Sequence, residues 1–295
     1  MSVSKQKAVT RVLRVFAALP RPISRTAGRI LGWLAWHFAK KARHFTETNI
    51  THCFPKMPAD QRKVLARRAF LQTGELISDL AVTWLWPKEK LRSLITQVDG
   101  LDALRSAFEQ NRGVLVLTPH LGNWEILFPA IAGQFPLAAM YRPPRQSALE
   151  PIIVSARQRN GGEVFPATAS GVRYTIRALK SGKVTFVLPD QEPEDSAGIF
   201  VPFFGQPALT MTLPARLCQK TQCAVLFAAA YRRHGRFYVE FCHGAFPCDH
   251  TMPTDVFCRN MNRSLEALIL KSPEQYQWSY KRFYTQPNGR PQIYI

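Results

Sequence analysis

The sequence predicts an α/β fold: a mixed, mostly parallel sheet flanked by helices and preceded by N-terminal helices. Three observations predict it. Short apolar runs alternate with helix-like stretches along most of the chain, the pattern of strands joined by helical crossovers. The chain has 295 residues, 46% of them apolar, which is ample for a large core. No Gly/Ser/Pro-rich tract, internal repeat or low-complexity segment divides it.

Taken in order, Val9, Val12, Leu13 and Phe16 fall at i, i+3, i+4 and i+7, with Arg11 and Arg14 on the other side. This predicts a basic amphipathic helix that ends near Pro20 and Pro22. The two arginines also interrupt the apolar stretch that a secretory signal would need. A second apolar segment, Ile30 to Ala39, carries Trp33, Trp36 and Phe38 and runs into Lys40, Lys41 and Arg43. Neither segment reaches the ~20 uninterrupted apolar residues of a membrane span. Residues 1–45 are therefore expected to form membrane-associating helices, lying on a bilayer face as a peripheral or monotopic anchor, with residues 46–295 as the main domain. For residues 24–41 an ordinary helix packed on the core is an equal alternative.

Asp60 to Trp86 reads as one helix, closed by Trp84-Leu85-Trp86-Pro87, and Leu101 to Gln110 as a short one. Gly113-Val114-Leu115-Val116-Leu117 is the first expected core strand. Further strands are expected at Leu137–Tyr141, Lys183–Leu188, Ala224–Tyr231 and Arg236–Cys242, the last two as an antiparallel pair. Helices are expected at 123–133, 147–160, 171–181, 210–220 and 254–271. Phe203-Phe204-Gly205 reads as an apolar loop in which Gly205 permits a turn, and Thr210 as the cap of the helix that follows.

The most informative segment is Thr118-Pro119-His120-Leu121-Gly122-Asn123-Trp124-Glu125. Pro119 stops the preceding strand, Asn123 reads as an N-cap, and Glu125 falls in the first helical turn. A His and a carboxylate five apart meet only if the His lies in the turn and the Glu inside the helix. Such a pair suits a general base, because the carboxylate fixes the imidazole tautomer. His120, Arg142 and Asp190 all sit just past expected strand ends, where ligands of such sheets bind.

Charge adds a second clue. Thirty-nine Lys and Arg against twenty Asp and Glu give a net charge of +19. That balance implies an acidic partner, such as anionic lipid, an acidic protein or nucleic acid. No zinc finger, RNA-recognition signature or helix-turn-helix supports nucleic acid. The six cysteines, Cys53, Cys218, Cys223, Cys242, Cys248 and Cys258, form no C-x2-C pair and fit no common metal site. No nucleotide-binding glycine motif and no Gly-x-Ser-x-Gly elbow occurs. Neither metal nor cofactor is expected, and direct transfer is favoured over a serine acyl-enzyme.

His120 to Glu125 resembles the H-x4-D/E motif of glycerolipid acyltransferases. More specifically, the chain resembles the bacterial lipid A biosynthesis late acyltransferases. Tyr141-Arg142-Pro143, Arg157-Gln158-Arg159-Asn160-Gly161, Leu188-Pro189-Asp190-Gln191, Phe203-Phe204-Gly205 and Ala208-Leu209-Thr210 follow that family's blocks in order. Pro273-Glu274-Gln275-Tyr276-Gln277-Trp278 with Lys281-Arg282-Phe283 resembles its terminal signature. The resemblance implies a glycerolipid-acyltransferase-like fold and makes residues 46–295 an acyltransferase domain. It implies transfer of a fatty acyl chain from an acyl thioester, on acyl carrier protein or coenzyme A, to a hydroxyl of an anionic glycolipid acceptor. The implied location is the cytoplasmic face of the inner membrane.

Under that reading His120 is the base and Glu125 orients it and stabilises its imidazolium. The amides around Gly122 and Asn123, or Arg142, meet the oxyanion. Asn123, Arg142, Arg157, Asp190 and Gln191 bind substrate, with Asp190 expected beside an arginine. Two alternatives stay open: the same chemistry on another lipid acceptor (a lysophospholipid, an ornithine lipid or a glycosylated phosphatidylinositol), and a non-catalytic basic membrane- or nucleic-acid-binding protein.

Overall fold

The computed structural model describes residues 3–110, 112–144 and 146–294, so the first two residues of the expected 1–45 segment and Ile295 lie outside it. Four helices come first: α1 (Val3–Ala18), α2 (Arg21–Phe38), α3 (Lys40–Cys53) and α4 (Ala59–Leu85). Then follow α5 (Lys88–Arg92), β1 (Ile95–Asp99), α6 (Leu101–Glu109) and β2 (Val114–Leu117). A 3₁₀ turn, Trp124–Ile126, leads into α7 (Leu127–Ile131), β3 (Leu137–Tyr141), α8 (Glu150–Arg159), β4 (Gly162–Pro166), α9 (Ala169–Lys180) and β5 (Val184–Val187). The last third holds β6 (Gly198–Phe203), β7 (Gln206–Met211), α10 (Leu213–Thr221), β8 (Ala224–Arg233), β9 (Arg236–Cys242) and α11 (Thr254–Leu270).

Seven strands form one sheet in the order β1-β9-β8-β2-β5-β3-β4. Every neighbouring pair is parallel except β8 and β9. The architecture is the expected one: α/β, with a mostly parallel sheet and helices on both faces. Buried β2 shows why. Val114 and Val116 point into a core with Leu91, Leu104, Ile126, Leu127 and Ile131. Leu115 and Leu117 point into a second core with Phe203, Leu217, Phe257, Met261 and Leu265. A strand covered on both faces reads as an unbroken apolar run.

The two strands of this sheet that the sequence reading misses, β1 and β4, are its edges. Both are only partly covered, so their residues mix apolar and polar side chains without a continuous apolar signal. The expected loop around Phe203-Phe204-Gly205 is the tight turn of a separate antiparallel hairpin, β6–β7. Phe204 and Gly205 both take positive φ, 49° and 75°, as a two-residue hairpin turn requires. Thr210 therefore lies in β7 and caps no helix. Its hydroxyl donates to the Ala208 carbonyl and accepts from Arg282. The helix expected at 210–220 begins three residues later, at Leu213.

Helix α2, which spans most of residues 24–41, packs on the core with one face and exposes the other. Ser24, Gly28, Gly32 and Trp36 are buried. Ile23, Ile30, Leu34 and Phe38 form an exposed stripe, with Leu31 and Trp33 at its flanks. On α1, Leu13 and Phe16 are buried against Ala81 and Trp84 of α4, whereas Val12, expected on the same side, is exposed. The buried face of α2 crosses α4 so closely that a Cβ at Gly28, Gly32 or Gly74 would collide with the facing backbone.

Charges lock the same crossing. Glu75 and Asp79 of α4 are fully buried. Asp79 binds Arg21 of α2 at 2.7 Å and Arg232 of β8 at 2.5 Å. Glu75 binds Arg25 and Arg29 of α2 at 3.2 and 2.9 Å. Arg232 also reaches Gln72. Buried carboxylates persist only when paired in this way. Because the helix crossing has no room for a methyl group, Gly74→Ala is expected to lower stability by about 1–3 kcal/mol, read as a lower urea midpoint at unchanged slope.

Candidate active site

The site lies at the carboxyl end of the parallel strands, between β2 and β5. The two are neighbours in space, although β3 and β4 separate them in the chain. Pro119 ends β2 and delivers His120. Leu188 and Pro189 follow β5 and deliver Asp190. The Asp190 side chain is buried and the His120 ring is 17% exposed. Asp190 Oδ1 lies 2.7 Å from His120 Nδ1, and Oδ2 accepts the His120 backbone N–H at 2.8 Å. An ionised carboxylate only accepts hydrogen bonds, so Nδ1 carries the proton and Nε2 keeps a free lone pair. The Trp124 ring stands edge-on to the imidazole at 4.9 Å.

Burial by itself would raise the Asp190 carboxyl. The facing His120 imidazole and its two hydrogen bonds outweigh that and, with Arg282, hold the carboxyl below its ordinary value. The Tyr276 hydroxyl faces the same carboxylate. Burial and that negative charge push the phenol well above its usual range, so it remains a donor. Arg282 is buried, donates to the Leu209 carbonyl at 2.6 Å and to Thr210 Oγ1 at 2.9 Å, and lies 5.1 Å over the Phe203 ring.

Glu125 does not take the position expected of it. The 3₁₀ turn carries its side chain to Arg157 of α8, which grips it with Nη2 at 2.7 Å and Nε at 3.3 Å. The carboxylate on the imidazole is Asp190 instead. Arg157, expected as a substrate ligand, is therefore already held in a fork, with Nη1 outside it. Glu125 and Arg157 share a pocket of about 40 Å³ with Thr118, Trp124, Phe128, Met140, Phe186 and Leu188. Two charged groups thus line a slot whose other walls, Thr118 apart, are apolar.

Asn123 is also corrected. It makes no helix-capping side-chain bond. It is fully buried, and its Nδ2 donates to Thr83 Oγ1 of α4 at 2.8 Å. The two amides expected to face an oxyanion are spent: Gly122 N–H donates to the Gln275 carbonyl and Asn123 N–H to the Ala230 carbonyl, each at 3.0 Å. Gly122 has φ 57°, and a Cβ there would strike the Ala230 carbonyl, so glycine alone fits this turn. Arg142 sits past the end of β3, exposed and without a polar partner among the described residues. Gln191 donates to Gln277 Oε1 at 3.1 Å, and Gln277 N–H donates to the His120 carbonyl at 3.0 Å. The site thus gathers His120, Asp190, Glu125, Arg157 and Gln191 around β2 and β5, and Arg142 stands on the surface just past the end of β3.

The sequence reading assigns no site role to Tyr276, Gln275, Arg282 or Thr83. The first three lie in the C-terminal blocks, which packs under the loop after β2 through the Leu121–Tyr276 bridge.

Comparison with known proteins follows this geometry. The family model described as "Bacterial lipid A biosynthesis acyltransferase" matches residues 5–285. The chain is 27% identical over 96% of its length to a lipid A biosynthesis palmitoleoyltransferase of Escherichia coli K12, covering 92% of that protein. It is 28% identical, over the same shares, to the lipid A biosynthesis lauroyltransferase of that organism. It is 26% identical to a lipid A biosynthesis acyltransferase of Haemophilus influenzae, over 96% of this chain and 91% of that one.

The Asp190 geometry sets an acid limit to stability. A carboxyl held below its unfolded value binds fewer protons in the folded chain, so its contribution is present above about pH 4 and is lost as pH falls through its folded value. Wild type is expected to lose stability more steeply below about pH 4 than Asp190→Asn, measured as the urea midpoint at successive pH values.

Proposed function

From the premise that this chain belongs to the bacterial lipid A biosynthesis acyltransferase family, we propose that it moves a fatty acyl chain from acyl carrier protein to a hydroxyl of a lipid A precursor, with His120 as general base. The observation that carries the base assignment is the grip of Asp190 on Nδ1 and on the backbone N–H of the same residue. It leaves Nε2 free of that carboxylate, at the carboxyl end of the strands.

Nε2 takes the proton of the acceptor hydroxyl as the oxygen attacks the thioester carbonyl. Asp190 balances the positive charge that the ring acquires. The carbonyl oxygen becomes negative and meets a cation. Arg157, oriented by Glu125, is the fixed candidate, and the exposed Arg142 is the second. The tetrahedral centre collapses, the C–S bond breaks, and the thiolate leaves with the proton held by His120. No covalent acyl-protein forms. Because the backbone amides around Gly122 are already bonded, side-chain cations carry the oxyanion role. The relatives are named for lauroyl and palmitoleoyl transfer, so membership of the family does not fix chain length.

Among the described residues no helix is long and apolar enough to cross a membrane. The exposed stripe of α2 and the basic surface support peripheral attachment to the cytoplasmic face of the inner membrane, with residues 1–45 as its anchor.

Purified protein is expected to acylate a lipid A precursor from an acyl carrier protein thioester, with acyl-coenzyme A and a lysophospholipid as comparison arms, products being weighed by mass spectrometry. His120→Ala and Asp190→Asn are expected to lower turnover by about 10²–10⁴, and Glu125→Ala to impair it as well. Full turnover in both His120→Ala and Asp190→Asn sinks the base assignment. Replacing Ile30, Leu34 and Phe38 by Ser is expected to cut co-sedimentation with phospholipid vesicles by more than about tenfold without unfolding the chain.

A further inference from the structure

A basic pocket opens where the apolar stripe of α2 ends. Phe38, the last residue of α2, is 78% exposed. Lys40 and Lys41 begin α3 immediately beyond it. With His44 and Phe45 from the next turn, and Lys281 and Tyr294 from the C-terminal segment, they line an open pocket of about 440 Å³. Lys281 Nζ lies 4.3 Å from the centre of the Phe45 ring, 5.1 Å from Tyr284 and 5.7 Å from Tyr294. Aromatic rings fix an ammonium group in place without cancelling its charge. Among the described residues neither these three lysines nor His44 has a carboxylate partner; the paired lysines are Lys183 and Lys271. The first turn of α3 carries no acidic residue to neutralise the two lysines.

Unneutralised cations held close together repel one another, and the fold keeps them beside exposed hydrocarbon. One ligand chemistry answers both features: a phosphate attached to an apolar body. A free phosphate or an acidic protein would supply the charge and leave Phe38 and Leu34 bare. We propose that this pocket binds the phosphate of an anionic phospholipid in the leaflet on which α2 lies, among Lys40, Lys41 and Lys281, with the lipid chains against Phe38 and Leu34. The proposal rests on the membrane-attachment reading above and adds to it a site with a defined headgroup chemistry.

The test is vesicle co-sedimentation of the full chain on phosphatidylcholine, with and without phosphatidylglycerol. Wild type is expected to bind the anionic vesicles more tightly, and to lose that preference at high salt. A lysine near an anionic surface is worth about fivefold in binding, so K40Q/K41Q/K281Q is expected to lose about two orders of magnitude on anionic vesicles. R173Q/R177Q/K180Q removes the same charge from α9 and is expected to change binding by less than about threefold. Equal losses in the two triple variants reduce the effect to net charge and overturn the pocket. So does unchanged binding of K40Q/K41Q/K281Q. If that variant keeps vesicle binding but shows a raised KM for the carrier-protein thioester or the phosphorylated acceptor, the pocket serves that substrate and the proposal also falls. Failure of wild type to bind either vesicle sinks the attachment reading itself. Should circular dichroism show the triple variant unfolded, K40Q/K41Q, both exposed, carries the same test.

Discussion

The site depends on one buried carboxylate whose two oxygens are both used on a single residue. Asp190 holds the ring and the backbone amide of His120, so neither the imidazole nor its loop can swing without baring a charge in the interior. An unpaired buried carboxylate is costly, and that cost makes the arrangement rigid. It is available only because the chain returns from β4 to insert β5 beside β2. Topology therefore does chemical work here: it sets two loop ends, seventy positions apart in sequence, within hydrogen-bonding distance.

The rest of the corner is referred to α4. Thr83 receives the Asn123 amide, and the Trp84 carbonyl receives Arg159 of α8, two residues from Arg157. One and two turns earlier, Asp79 and Glu75 bind Arg232, which stands on the part of β8 that runs beyond β2. Ala230 on that same extension accepts the Asn123 amide. The loop bearing His120, the helix bearing Arg157 and the overhanging strand are thus braced against a single 27-residue helix. Each brace is polar, and those through Asn123 and Arg232 are buried, so they fix a position as well as adding stability.

Much of this was legible in the residues. The runs at 113–117 and 137–141 are apolar throughout, and that at 184–188 apolar but for Thr185, because those strands lie inside the sheet. The corner at Pro119-His120 stood out because a proline after such a run has few other uses. The edge strands β1 and β4 were hidden by their mixed faces, and the hairpin β6–β7 by a turn that reads equally well as a loop. The partnership of His120 was hidden for another reason. Local spacing proposed Glu125, five residues on, whereas the real partner comes from the neighbouring strand, and only the strand order reveals it. Arg157 was visible as a motif residue, but its grip on Glu125 depends on how α8 crosses the 3₁₀ turn. The glycines of α2 looked unremarkable until the crossing with α4 gave them a function.

The tight α2–α4 crossing has a mechanical consequence. The helix with the greasy outer stripe and the helix that braces the His120 loop touch backbone to backbone and share three ion pairs. They move as one piece. On the attachment proposed above, the height of the His120 imidazole above the lipid headgroups becomes a constant of the molecule, and an acceptor hydroxyl would have to climb to that level to meet it.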